Sequence, residues 1–514
     1  MTILSHICLD IYSTFSIKAN MMMAIERNEH GGTQALTDSG NGYSRLVGFV
    51  YVFNLIVGTG ALTMPAAFRE AGWLLSLIIV IVLAFMSYLT LTFMIEAMAI
   101  SNAKIRFYDI VSATSGKRNS LDTSLNTDET QPLIPKPKYS YSEVKPSFEI
   151  TERVEMGTMA SMYFNKVGLL LFHLCIIIYL YGDLAIYAAA VPKTLRDVAC
   201  TFELNYTSQN LTDSDPCWPS SPNVSRMDAY RIFVACFILL LGPFTFFNVQ
   251  KTKYLQIMTS LARWIAFLMM IILASIWLAQ GKGQSTPAVA RIAGVPNLFG
   301  VCVYSFMCHH SLPSLVTPIK NKRHIMPVLA GDYAVILVFY LILNFTAIFA
   351  LEDIEDLYTL NFKPRSSTSL TDIVPIQYFL ALFPVFTIST SFPIIAITLR
   401  NNLIAMITSY FGAVHGYVSK IICPLLAIIP PLIVSMTTNQ LQYLVGFTGS
   451  YAGAGIQYVI PAFLVYLARK DILAIGGGYL HQSPFSHKSW VIITVIWALI
   501  CVAFVTTNYI ISYS

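Results

Sequence analysis

In NLIVGTGALTMPAAF, residues 54–68, three residues poorly suited to a helix interior, Gly58, Gly60 and Pro65, stand inside one of the most apolar runs of the chain. The run is long enough to cross a bilayer. In hydrocarbon an unpaired peptide group is so costly that a broken helix survives only where neighbouring protein or a ligand satisfies the freed groups. The stretch therefore predicts a polar site near the middle of the membrane. Gly58 and Gly60 let the backbone leave the helix without steric cost, and Pro65, which has no N–H, suits the first turn of a second half-helix. A half-helix beginning near Ala61 would aim free N–H groups and a positive dipole end into the membrane, and such donors suit a carboxylate. The alternative is a kink that only assists packing, because Gly and Pro are common in membrane helices.

Composition makes the membrane setting firm. Of 514 residues, 55% are hydrophobic and 11% charged, whereas soluble domains carry roughly 25% charge. A spanning helix needs about 20 mostly apolar residues. Eleven such stretches are legible, near 46–67, 74–98, 167–191, 229–249, 256–279, 294–318, 328–350, 373–399, 417–437, 442–467 and 489–511. The apolar patch from Leu403 to Phe411 is either an interfacial helix or part of a longer eighth span.

Lys and Arg are retained on the cytoplasmic side during insertion. A cytosolic N-terminus gives the inner loops Lys251, Lys253, Lys320, Lys322, Arg323, Arg400, Lys420, Arg469, Lys470 and Lys488, together with the nine basic residues from Lys104 to Lys166. The outer loops then hold fewer. A second signal agrees, since the loop at 192–228 carries sequons at Asn205, Asn210 and Asn223, which are acceptors only if it faces a lumen or the exterior. Cys200 and Cys217 in that loop form a plausible disulfide in an oxidising compartment. The other seven cysteines lie in spans or the N-terminal tail and read as small hydrophobic filler. A fourth sequon, at Asn344, falls within span seven.

Residues 1–45 read as a cytosolic tail without the pattern of a cleaved signal peptide. Residues 101–160 are rich in Ser, Thr, Asp, Pro and Lys and are expected to be a disordered cytosolic loop. Within it, Glu129 stands four positions before Leu133-Ile134, a spacing like that of acidic dileucine signals. It implies endolysosomal sorting adaptors as partners, though patterns this short also arise by chance.

Span six repeats the anomaly of span one. VYSFMCHHSLPSLV, residues 303–316, interrupts an apolar run with polar residues and Pro313. Interrupted segments at corresponding positions of two halves point to an inverted-repeat transporter with its site at the repeat interface. The expected architecture is an all-α polytopic membrane protein of about 11 transmembrane helices. Its five-plus-five inverted repeat comprises 46–279 (spans one to five) and 294–467 (spans six to ten), helices one and six are discontinuous, and span eleven (489–511) is an appendage.

GTGALTMPAAFREAGW, residues 58–73, resembles the G-x-G-x-L-x-x-P…G signature of the amino acid/auxin permease family, within the amino acid-polyamine-organocation superfamily. SFMCHHSLPSLVTPI resembles that family's broken sixth helix, and GFTGSYAGAGIQYVIPAFLVYLARK, residues 446–470, its tenth. The resemblance covers nearly all of the chain outside 1–40 and 101–160. It implies amino acid transport without fixing a substrate. It also implies that Asn54 contributes to an ion site, as the matching asparagine does in sodium-coupled relatives.

Individual residues carry the remaining expectations. A substrate carboxylate is placed on the amide groups of Gly60, Ala61 and Leu62, beside Gly58 and Thr59, and its ammonium on carbonyls of Tyr304, Ser305 and Phe306. Partners for Asn54 are Thr387, Thr390 and Ser391, whose spacing puts three hydroxyls on one helix face; alternatively these bond back to their own helix. Asp183, an acid deep in span three, suggests an ion or proton pathway, or else pairs with Lys193 or Arg196. Tyr179, Tyr181 and Tyr187 line a cavity or simply pack. His309 and His310 follow the break; a histidine titrates near 6.5 and could couple proton movement, or could hold a freed carbonyl. Only one of two adjacent side chains should reach a given cavity. Glu96 and Arg263 read as a structural pair or as snorkelling groups.

One pH unit is worth about 1.4 kcal/mol per proton, enough to concentrate a neutral substrate roughly tenfold. No P-loop is present, which argues against a primary pump. No metal-ligand spacing or nucleophile motif points to an enzyme, and no cofactor is expected beyond a bound Na⁺. The chain thus reads as a secondary active transporter, a symporter of small neutral amino acids with H⁺ or Na⁺, in a lysosomal, endosomal or plasma membrane. No nucleic-acid partner is expected. The rival is a non-transporting sensor that keeps the pocket and signals through its cytosolic loop.

Overall fold

The computed structural model describes residues 43–122, 148–201, 212–247, 253–283, 286–364, 370–412, 415–475 and 481–513. Its apolar runs are helices because, away from water, each segment must satisfy its own backbone groups. The first span is two helices, α1 (Arg45–Ile56) and α2 (Thr59–Ala71), bent by 54° at Val57-Gly58. Ser44 caps α1 by accepting from the Val47 amide at 3.4 Å. Gly72, at φ 87°, turns the chain into α3 (Trp73–Asp122). There follow α4 (Met156–Tyr163), α5 (Lys166–Ala199), an antiparallel pair β1 (Pro216–Trp218) and β2 (Ser221–Ser225), α6 (Arg226–Leu241) and α7 (Lys253–Ala279). The second half holds α8 (Val295–Ser305), α9 (Leu312–Val316), α10 (Ile325–Ala350), α11 (Val374–Phe411), α12 (Cys423–Thr437), α13 (Leu441–Thr448), α14 (Ile460–Ile475) and α15 (Lys488–Tyr513). Among the described residues ten helical segments are long and apolar enough to cross a membrane, or eleven if the bent α1–α2 pair is one span.

Enclosure ranks the spans. The interrupted segment Ile292–Val316 is 83% buried in its apolar window, whereas α7 and α15 are only 22% buried there, so span six is central and span eleven peripheral. α8 packs against α2 and α13, and α5 lies along α11. The approach of α8 to its neighbours demands glycine: a Cβ on Gly300 would meet the Gly446 carbonyl at 1.9 Å, and one on Gly449 the Gly300 carbonyl at 1.9 Å. Between α13 and α14 the tenth span passes through two π-helical turns, Gly449–Gly453 and Gly455–Val459.

The structure corrects several expectations. Helix α3 continues to Asp122, well into the stretch read as disordered. Residues 148–156 then dock back: Phe148, Ile150, Val154 and Met156 are buried, and Asn102 accepts from the Thr151 and Glu152 amides at 3.1 and 2.8 Å. Average polarity had masked these few apolar residues. Glu129, Leu133 and Ile134 lie outside the described residues, as do Asn205 and Asn210, whereas Asn223 is exposed on β2. Residues 403–411 continue the eighth span as part of the 38-residue α11.

Charges cluster at the two ends. At one, Cys200 and Cys217 are disulfide-bonded with Cα atoms 4.6 Å apart. There Arg196 and Arg226 both reach Asp197, at 2.8 and 2.5 Å, and Lys193 reaches Asp356 at 2.5 Å. Lys193 and Arg196 are therefore not partners of Asp183. At the other end Arg469 grips Glu96 with two bonds of 2.7 Å, and Lys104 meets Asp471 at 2.5 Å. The pairing of Glu96 with Arg263 is not found. A strand-like clasp joins Tyr43 to Ile319 at this same end, and Arg45 donates to the Asn321 carbonyl at 2.9 Å.

Candidate functional site

Where a helix breaks inside the bundle, its carbonyls need donors. Arg263 of α7 supplies them at span one, donating to the carbonyls of Asn54 (2.6 Å) and Val57 (3.1 Å). Tyr340 of α10 serves both breaks through one hydroxyl, 3.0 Å from the Ile56 carbonyl and 3.0 Å from that of Ser305. The Phe306 carbonyl accepts from Ser87 and Tyr333, each at 3.2 Å. The two breaks also touch directly. A Cβ on Gly60 would stand 2.4 Å from Ser305 Oγ, whereas one on Gly58 would meet nothing nearer than the Leu55 carbonyl at 3.9 Å.

These contacts revise the expected cradle. The Phe306 carbonyl, assigned to a substrate ammonium, already has two donors, and that of Ser305 is taken by Tyr340. The Ala61 amide donates to the Gly58 carbonyl at 3.1 Å. Half-buried Gly58 and Thr59, rather than buried Ala61 and Leu62, form the open edge of the break.

Helix α5 then supplies a polar stripe. Tyr179, Asp183 and Tyr187 recur every four residues and so share one face. That face meets both breaks. Tyr304 donates its hydroxyl to Asp183, itself 5% exposed. Tyr187 comes close to Thr59. The Tyr179 ring lies 6.2 Å from that of Tyr304 and 5.5 Å from the imidazole of His310. Tyr181 points elsewhere, donating to the Leu426 carbonyl at 2.8 Å.

The adjacent histidines diverge. His310 joins the Tyr179 side, whereas His309 is fully buried with Nε2 3.0 Å from Thr90 Oγ1 on α3. The hydroxyls of span eight are not gathered at span one: Thr387 donates to Phe383, and Thr390 and Ser391 donate to Thr387, all carbonyls of their own helix. Asn54 instead borders a narrow crevice, without room for a water molecule, among Phe53, Val57, Arg263, Trp264, Phe267 and Phe339. Among the described residues no group of three or more His, Cys, Asp or Glu side chains could hold a metal.

Sequence reasoning missed Ser87, Arg263, Tyr333 and Tyr340 as donors to the breaks. It also passed over Asp332, although an acid eight residues into the 26-residue α10 was visible in the sequence. The tyrosines offered no such signal, since an aromatic in a span is ordinarily packing.

A multi-pass helical bundle in which two interrupted spans meet is the class of protein these features define. Residues 42–507 match the family described as transmembrane amino acid transporter protein, and the chain belongs to that family. It is similar to Transmembrane protein 104 of Gallus gallus, 51% identical over 501 residues that cover 93% of this chain and 99% of that protein. Transmembrane protein 104 of Homo sapiens is 50% identical over 498 residues, covering 93% and 98%. The Transmembrane protein 104 homolog of Drosophila melanogaster is 44% identical over 502 residues, covering 91% and 97%. The likeness read from the residues of spans one, six and ten is thus borne out at the level of the family.

Proposed function

We propose that the chain is a secondary active transporter of small neutral amino acids, coupled to H⁺ or Na⁺, in which two inverted repeats rock about the paired breaks. The single observation that supports this best is the Tyr179–Asp183–Tyr187 stripe, which links Thr59 at one break to Tyr304 and His310 at the other. A substrate carboxylate would sit at the first turn of α2 by Gly58 and Thr59, where the half-helix presents donors and a positive end. Its ammonium would face Asp183 once Tyr304 moves aside. The basic residues and the sequons support an orientation with the disulfide end in a lumen or outside and the Tyr43–Ile319 clasp in the cytosol. The dileucine pattern favours an endolysosomal membrane. The sensor reading gains one observation, the docking of residues 148–156 on α3, which would let a cytosolic partner feel that helix.

The test is uptake of a labelled amino-acid panel into proteoliposomes with pH and Na⁺ gradients imposed separately. Gly58→Leu is the control, because a Cβ there meets nothing nearer than 3.9 Å, whereas a bulky residue at Gly60 would collide with Ser305. Accumulation that follows one gradient and is lost in Gly58→Leu is the expected result. Undiminished saturable uptake in that variant would remove the break as the binding site. Binding without accumulation, with output lost on deleting residues 105–160, would favour the sensor.

A further inference from the structure

We propose that Asp332 of α10 is a proton-carrying carboxyl group, protonated while the molecule is closed as seen here and deprotonated when the α8–α9 interruption opens. The inference rests on the transporter reading and names its coupling ion. Asp332 is 0% exposed, and neither carboxylate oxygen has a hydrogen-bond partner among the described residues. An ionised carboxylate so enclosed is strongly disfavoured unless a cation or donors compensate it. Either a proton or a metal cation must therefore neutralise it.

The surroundings favour the proton. α10 packs against α1, α2, α3 and α7. From α7, Arg263 is committed to the Asn54 and Val57 carbonyls; from α1, Arg45 is committed to Asn321; from α2, Arg69 donates to the Leu351 carbonyl and Glu70 accepts from Asn297. From α3, Tyr88 donates to the Met326 carbonyl at 3.3 Å. In the α8–α9 turn His309 is bonded to Thr90, and Cys308, within Coulombic range of Asp332, offers sulfur. Ser87, Tyr333 and the Phe306 carbonyl are already bonded to one another. A hard cation wants about six oxygens, and among the described residues no group of three or more His, Cys, Asp or Glu side chains could hold a metal ion. A proton needs no such shell.

The position also gives the proton a consequence. Tyr333, next in sequence, holds the Phe306 carbonyl at the span-six break and touches Cys308. Ionising Asp332 would draw water or donors into this network and loosen the break. Asp332 lies seven residues from the start of α10, about 10 Å along the helix axis from the proposed cytosolic end, so the released proton has a short route out.

The test uses the full chain in proteoliposomes with radiolabelled alanine, leucine and glutamine, alongside infrared difference spectra of the same samples. The wild type is expected to accumulate substrate about tenfold per unit of imposed pH gradient at one-to-one coupling. It should also show the carbonyl band of an un-ionised buried carboxylic acid near neutral pH. Asp332→Asn should lose that band, and its gradient-driven accumulation should fall toward unity while substrate exchange remains measurable. Asp332→Glu should recover part of both. Gradient-driven accumulation that persists in Asp332→Asn would overturn the inference and move the proton to Asp183 or His310. A wild type that moves none of the three amino acids would defeat the transport reading for that panel. The band would still decide the state of Asp332, and its absence from the wild type would overturn the inference.

Discussion

At the residue scale, the hydrogen bond between Tyr304 and Asp183 is the contact most exposed to test. Removing the phenol leaves a buried carboxylate without its donor, so Tyr304→Phe should lose about 1–3 kcal/mol of stability, readable as a lower midpoint of thermal unfolding in detergent. Adding Asp183→Asn should restore most of that stability without restoring uptake. A Tyr304→Phe variant as stable as the wild type would show that the bond contributes little. A second residue prediction concerns His481, buried in the segment before α15, where desolvation and then Lys322 hold its imidazole below the ordinary value, against an opposing effect of Glu149. A histidine that folds neutral contributes stability present above its unfolded pKa and lost as the pH falls. The thermal midpoint should therefore drop as the pH falls below about 6.5, and His481→Asn should flatten that slope. An unchanged slope would place the sensitivity in other groups.

At the scale of elements, the glycines of α8 set how closely spans six and ten approach. Gly300→Ala would drive a methyl group into the Gly446 backbone carbonyl as well as Ser450 Oγ, which should cost more than about 3 kcal/mol. The expected outcome is loss of monodisperse protein in size-exclusion chromatography. The tie between α3 and α14 is a second element-scale contact. Glu96 is fully buried and Arg469 partly accessible, so Glu96→Gln should cost about 3 kcal/mol, the lower end for a broken buried pair. The drop in thermal midpoint reads it. Here the division between legible and illegible is clear. Gly58 and Pro313 announced the two interruptions because few residue types disturb a span so strongly, whereas Pro65, expected in the first turn of the second half-helix, lies in the interior of α2. The donors that tolerate those interruptions, Tyr340 and Arg263 above all, were illegible, because what identifies them is a partner 284 and 209 residues away, respectively.

At the scale of the whole molecule, hydropathy alone yielded the number of crossings, since the bilayer imposes length and polarity on every one. Pairing across the ends was not legible. Glu96 could have met any of several cations, and only the fold selects Arg469. The disulfide is the exception, with two cysteines sharing one loop. Its Cys200–Cys217 separation of 17 residues implies a loss of about 3 kcal/mol when Cys217→Ser opens it, checked by thermal unfolding of the variant against the wild type. An undiminished midpoint would mean that the Asp197 ion pairs alone hold that end.

The clasp at the opposite end has a practical use. Tyr43 exchanges backbone hydrogen bonds with the Pro318–Lys320 segment, donating to Pro318 and accepting from Lys320, each at 3.1 Å. The chain just before the first broken span is thereby stitched to the chain just after the second. Spin labels at exposed Ser44 and Lys320 would form a single molecular ruler. Its one distance would lengthen whenever either half swings away, whichever half moves first.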